Sequence, residues 1–520
     1  MSHIGIDDFR RLRELGLAYV DRSALVEALV ARPGAQVVIL QRPPGFGKSL
    51  ALSLLRCFFE RSDEDLRALF EDLAVAEEEE VSADPWAHFQ RYPVLHLRLG
   101  DLVHERYEDL AWALQEKLRD LIDEHRETLA SAALSDLDRD RLGRLLDGSA
   151  PAAAYRRALL DLTRALRRAT GERVVVLVDD IDQPVIAGAL YGYAEAAQGL
   201  MRELLGAGLT HNPHLARAVL SCTLDLGDEH GARAGGPALV CAPWMSALGV
   251  GGGLAEEELA ELMDPDELPS LRRWHGGHGS DDRPRCAPAA VMTALAGGPW
   301  RGVGARSPAE ALVARLLEHD TERMWPALGP LLGGDELERE LPAPVPVTAL
   351  GRERTLLWSL LCAAGWLRAE PVPSATTEPL YRLQIPNRSA RALVEAALAA
   401  GRSAAGSQPG RAQAGHDPSE AATEPDELVL PATGGARRPR SVAAQRRPRP
   451  DIEHEANEFE TRLQRFFTEI REDSPALDPE LAPGPDGLPV IDVDAVVVDV
   501  TPDDAATGTA PDPEPGDAPA

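Results

Sequence analysis

The sequence predicts an α/β fold, a parallel sheet with helices on both faces, followed by a mostly helical region and a low-complexity tail. Three observations predict it. Short continuous apolar runs alternate with amphipathic segments through the first 400 residues. One such run, Ala35 to Gln41, leads into Gly-Phe-Gly-Lys-Ser at 45–49, and another, Arg173 to Asp180, ends in paired acids.

The runs "AQVVILQ" (35–41), "YPVLHLRL" (92–99), "RVVVLVDD" (173–180) and "ARAVLSCTLDL" (216–226) are of the continuously apolar kind that is buried on both faces of a parallel sheet. Between them Leu110, Leu114, Leu118 and Leu121 mark one helix, and Leu159, Leu162 and Leu166 another. Alternation of this kind requires crossover helices on both sides of the sheet.

The chain has 520 residues, room for two to four domains. No apolar stretch is long enough to span a bilayer, and the N-terminus lacks the profile of a secretory signal, so a cytoplasmic protein is expected. Cys57, Cys222, Cys241, Cys286 and Cys362 lie far apart, as buried thiols in a reducing compartment do. The formal net charge of −30 disfavours nucleic acid as a general partner.

Beyond Gly401 the chain turns to Ala, Pro, Gly and Ser, which cannot bury enough surface to offset chain entropy. A disordered tail is expected over 401–520, basic at Arg437 to Arg449 and acidic at its end. Phe459, Leu463, Phe466, Phe467 and Ile470 give a short helix at 455–472 one apolar face, and "PVIDVDAVVVDV" has the β-branched content of a strand. Either island docks on the body, stays loose, or recruits a protein partner through the tail.

The chemistry concentrates at two places. Gly45 and Gly47 let the backbone turn its N–H groups toward a phosphate, and the start of the following helix adds partial positive charge. Lys48 would reach the β and γ phosphates, and the Ser49 hydroxyl would ligate Mg²⁺. The bland alternative is a strand-turn-helix with a solvated lysine. A phosphate loop usually begins with glycine where this chain has Arg42. In "VVVLVDDID", Asp179 is placed for the Mg²⁺ side and Asp180 to polarise the attacking water. Acids at the C-terminal end of a parallel strand face the same crevice as the loop, although aspartates there can also cap the next segment.

"GIDDFRRLRELGLAYVDRSALVEALV", "RPPGFGKSLALSLLRCFFE" and "VLVDDIDQP" together resemble the bacterial AAA-ATPase-like family with G-I-D-[DN]-F, Y-V-D-K-[ST], R-P-R-R-F-G-K-[ST] and D-E-Y-D-x-P signatures. "GGLAEEELAELM", "WHGGH", "RCAPAAVMTAL", "LWSLLCAAGWL" and "YRLQIPNRSAR" follow in that family's order, so the resemblance covers about residues 4–397. Arg42 matches the arginine the family carries as a rule. The resemblance implies phosphate and Mg²⁺ roles for Lys48 and Ser49, with Asp179 as the Mg²⁺-side acid, and therefore ATP and Mg²⁺ as cofactors. Asp21 matches a signature position that a helix N-cap explains as well.

The departures bear on hydrolysis. Asp180 replaces a glutamate, one methylene shorter. Asp225 stands where the family commonly has an arginine after the fourth strand, and an aspartate near a γ phosphate opposes charge development. Pro44 and Gly45 replace the second loop arginines. A C-terminal nuclease-like domain, frequent in the family, is not visible in the sequence. His275, His278 and Cys286 have metal-compatible spacing but offer only three soft ligands, and the acidic run Glu77 to Glu80 reads as a solvated face.

The expected organisation is an N-terminal signature region (1–29), a P-loop core of the ASCE, AAA-like type (30–250), a helical lid and winged-helix-like region (251–400), and the tail. The expected function is Mg-dependent ATP binding with weak hydrolysis coupled to conformational change. The alternative is a nucleotide-dependent scaffold that does not hydrolyse.

Overall fold

The computed structural model describes residues 7–32, 36–77, 84–224, 226, 238–241, 253–279, 285–295, 307–341, 356–373 and 380–406. All fall within one compact unit, Met1–Gly435. The expected tail helix and strand, most of the acidic run, and Asp225 lie outside the described residues.

The core is a five-stranded sheet: β1 (Val37–Gln41), β2 (Val94–Arg98), β3 (Val174–Asp179), β4 (Leu215–Cys222) and β5 (Ala238–Cys241). Spatial order is β2-β3-β4-β1-β5 and every pairing is parallel. All strands therefore end on one edge, and β4 is inserted between β1, which feeds the loop, and β3, which ends in the acids. That order is the ASCE arrangement expected of the core.

Side chains alternate across the sheet, as strand geometry requires. Val38, Leu40, Val175, Leu177 and Val219 face the helix Lys48–Phe59, whose Leu52, Leu55 and Phe58 complete one layer. Ile39, Leu97, Val174, Val176 and Val178 face the other way, toward the leucines of helices Tyr107–Glu124 and Ala158–Thr170. Both faces are thus covered, which is why β3 is buried along its whole length. Cys57, Cys222, Cys286 and Cys362 are free thiols, three of them buried.

Beyond the core, helices Pro308–His319, Thr321–Gly333 and Leu356–Ala363 accompany an antiparallel sheet. Its strands are β6 (Leu337–Glu340), β7 (Arg368–Val372) and β8 (Leu380–Gln384), in the order β6-β8-β7. The first strand thus pairs with the last. Leu312, Val313, Leu317, Leu361, Val394 and Leu398 belong to the same apolar cluster as the core strands. Arg315 donates from Nη1 to the Leu190 carbonyl, 2.6 Å away, tying this region to the helix that follows the acids. Among the described residues no helix is long and apolar enough to cross a membrane.

Candidate functional site

The loop leaves β1 at Gln41. The Arg42 N–H donates to the Cys222 carbonyl at 3.0 Å, pinning the start of the loop to the tip of β4. Gly45 and Gly47 have φ of 76° and 73°, the left-handed region that residues with a Cβ avoid. Gly45 has a second constraint, since a Cβ there would lie 3.0 Å from the Ala289 Cβ. Helix Lys48–Phe59 begins directly after Gly47, with Ser49 half-buried in its first turn.

Lys48 is 8% exposed. Its ammonium donates to Thr223 Oγ1 at 2.9 Å and to the Arg42 carbonyl at 3.3 Å. The nearest carboxylate is Asp180, whose Oδ1 lies at 3.9 Å. One side chain thus joins the loop, the end of β3 and the end of β4.

Asp179 is buried, and the Ser221 hydroxyl donates to its Oδ1. The same hydroxyl accepts the Asp180 N–H at 2.9 Å. Ser221 therefore fixes both acids from the neighbouring strand. Asp180 has φ 54°, unusual for a residue other than glycine, and the chain turns there out of the sheet. Burial pushes its carboxyl above the usual range, opposed by the nearby Lys48 charge. Gly100, just past β2, makes room for it, because a Cβ there would be 2.8 Å from Asp180 Oδ2.

Asp182 is 1% exposed, and its Oδ2 accepts the N–H groups of Thr223 at 3.0 Å and Leu224 at 2.7 Å. Burial raises its carboxyl to about 7, against the lowering effect of those amides and of Lys48. Sequence reasoning missed Ser221, Thr223, Gly100 and Asp182. The available signals were a run of small polar residues at the end of an apolar strand and a third acid in the box; neither fixes which atom meets which.

The outer side of the loop is covered by the region after 250. The Ala289 N–H donates to the Gly45 carbonyl at 3.1 Å, and the Phe46 ring meets His278 edge-on at 5.1 Å between centroids. A Cβ on Gly365 would be 3.1 Å from the Pro43 Cβ. Asn387 donates to the Gly276 carbonyl at 2.7 Å and lies 3.0 Å from His278 Nε2. Arg22 of the N-terminal signature grips Glu258 through 2.6 and 3.0 Å bonds and donates to the Gly253 carbonyl at 2.9 Å. The scattered signature segments thus converge on the loop.

Asp21 and His278 have partners that the sequence does not announce. Asp21 does not cap the helix Ala24–Val30. Its oxygens accept the N–H groups of Ser23 and Ala74, and Ser23 takes the cap position with its hydroxyl turned to the Val75 N–H at 3.0 Å and no capping bond. The cap position falls two residues beyond Asp21, which instead ties two segments together. His278 is engaged by Asn387, and burial lowers its imidazole to about 4. Among the described residues no group of histidine, cysteine and acidic side chains is arranged to hold a metal by itself. A hard cation shared with a phosphate is a different case, because Mg²⁺ is held through one or two protein oxygens plus phosphate oxygens. Ser49 and Asp179 are oxygen donors of the right chemistry for that.

With this geometry in view, the comparisons are specific about one part of the chain. Residues 3–227 match the family model described as predicted AAA-ATPase. The matched segment runs from the N-terminal signature through the loop, the acids and the tip of β4. An uncharacterised protein encoded in the vnfD 5′ region of Azotobacter chroococcum mcd 1 is 26% identical over 404 residues, covering 76% of this chain and 69% of that one. The Aeropyrum pernix Orc1 protein, solved in complex with DNA, aligns over 73% of this chain and 93% of its own at 15% identity. Its TM-score is 0.26, and nothing is carried from it to this chain.

Proposed function

We propose that the protein binds MgATP at the 45–49 loop and hydrolyses it weakly, the nucleotide biasing how the region after residue 250 packs on the loop. The observation that carries this reading is the state of Lys48. Its ammonium is buried, its two hydrogen-bond acceptors are neutral oxygens, and among the described residues its ion-pair partner, Asp180, is 3.9 Å away. A buried charge is costly unless paired. A triphosphate lying along the N–H groups of residues 45–49 supplies negative charge beyond that of the Asp180 carboxylate.

In this reading Gly45, Gly47 and Lys48 hold phosphate, and Arg42 fixes the loop to β4. Ser49 and Asp179 hold Mg²⁺, which neutralises charge on the phosphate oxygens. Asp180 accepts the proton of the attacking water, and Thr223 sits where it would meet the terminal phosphate. Weak turnover is proposed because Asp180 is short, turned by its φ of 54°, and raised by burial toward the protonated form, in which it accepts no proton.

The same observation supports a second reading, a nucleotide-binding scaffold without turnover. Phosphate release at saturating MgATP separates the two. Slow release that is abolished by Asp180→Asn supports the ATPase, whereas tight binding with no release supports the scaffold. Nucleic acid is not proposed as a partner. Helix Leu356–Ala363, the third helix of the winged-helix-like region, has no basic residue, and its described side chains are buried.

A further inference from the structure

We infer that Asp182 is a positioning residue of the phosphate site, fixing the chain just beyond β4 so that the Thr223 hydroxyl stays on Lys48. This deepens the MgATP reading and rests on it.

Asp182 stands at the N-cap of helix Gln183–Tyr191, the usual explanation for an aspartate there, but its side chain makes no capping bond. It points instead to the neighbouring strand's end. β4 stops at Cys222, so the Thr223 and Leu224 amides have left the sheet's ladder, and Asp182 Oδ2 accepts both. From the other side the Gln41 side-chain amide donates to the Thr223 carbonyl at 3.1 Å. Thr223 is thereby held at its N–H and its C=O, and its hydroxyl is left to meet Lys48 at 2.9 Å.

The remaining Asp182 oxygen, Oδ1, is buried with no hydrogen-bond partner among the described residues. Lys48 and Asp180 are the charged groups acting on it. The two amides that Oδ2 organises account for an oxygen acceptor at this place. A neutral amide side chain of the same shape would organise them equally well.

Asp182→Asn, Asp182→Ala, Thr223→Val and the Asp182→Ala/Thr223→Val double variant are compared in the full chain. MgATP titration calorimetry and hydrogen exchange at the Thr223 and Leu224 amides are the readouts. The proposal predicts that Asn keeps both amides protected and binds MgATP within about threefold of wild type. Ala exposes the amides and weakens binding about tenfold, the loss expected from one misplaced hydrogen bond. The double variant then binds no worse than Thr223→Val alone. Asp182→Ala that stays folded and binds like wild type overturns the proposal, as do additive losses. If Asp182→Ala does not fold, an Asn variant with unprotected amides overturns it equally. Lys48→Ala distinguishes the two levels: if it loses MgATP while Asp182→Ala does not, only the positioning role fails. If wild type binds no MgATP, the underlying reading fails and the positioning role falls with it, while amide exchange still shows whether Asp182 holds the segment.

Discussion

The Thr223 hydroxyl lies 2.9 Å from the Lys48 ammonium, although 175 residues separate them in the chain. This contact closes the crevice between β1 and β3 by way of β4, and it places a neutral acceptor where a phosphate oxygen is proposed to come. Lys48 is held by two neutral oxygens and a carboxylate 3.9 Å away.

A stability consequence follows directly. Replacing Lys48 by methionine removes a buried ammonium whose nearest carboxylate among the described residues is 3.9 Å away, while keeping most of the packing volume. Without nucleotide, the variant is expected to unfold in denaturant at the same or higher concentration than wild type. A destabilisation of about 3–5 kcal/mol would mean that Lys48 serves the fold as a structural ion pair, since that is what breaking a buried pair costs.

Gly100 tests the placement of Asp180. Gly100→Ala puts a methyl 2.8 Å from Asp180 Oδ2 and must push that side chain aside. The expected result is lost phosphate release with MgATP affinity kept, at a stability cost of about 1–3 kcal/mol for overpacking. Lost affinity with normal folding would place Asp180 in binding instead.

Arg22 tests the convergence of the signature segments. Arg22→Ala removes two bonds to Glu258 and one to the Gly253 carbonyl. Burial raises the Glu258 carboxyl, but the Arg22 bond and the Ala255 N–H outweigh it and hold it below its usual range. The variant is expected to lose about 1–3 kcal/mol in a denaturant titration, because part-buried acceptors lose their partner. Protease sensitivity should rise first in the region after 250.

Asp182 also makes stability depend on pH. Its folded value, raised to about 7, lies above the unfolded value of about 3.9. The folded state therefore binds more protons than the unfolded one between those values. Stability from this group is greatest below about pH 4, falls as pH rises to about 7, and is flat beyond. Thermal unfolding from pH 5 to 8 should show that decline, and Asp182→Asn should flatten it. An unchanged slope in the Asn variant would assign the dependence to other groups.

Much of the fold was legible because apolar runs of strand length and leucines at helical spacing report burial directly. The runs at 35–41, 92–99, 173–180 and 216–226 became β1 to β4 with shifted ends, since strand ends are set by pairing partners that periodicity does not contain. The loop glycines were legible because their left-handed φ leaves little choice of residue. Ser221, Thr223 and Asp182 were not, because their significance lies in contacts across strands adjacent in space and distant in sequence. The role of Asp21 stayed open for a related reason, its second partner being Ala74, in a segment with no pattern to announce it.

The most direct test of the central claim is MgATP titration calorimetry on the full chain, wild type against Lys48→Ala. Saturable one-site binding by wild type, lost in a Lys48→Ala protein that remains folded, is the predicted result. Wild type that takes up no heat at millimolar MgATP, or a Lys48→Ala variant that binds as tightly as wild type, would contradict the account.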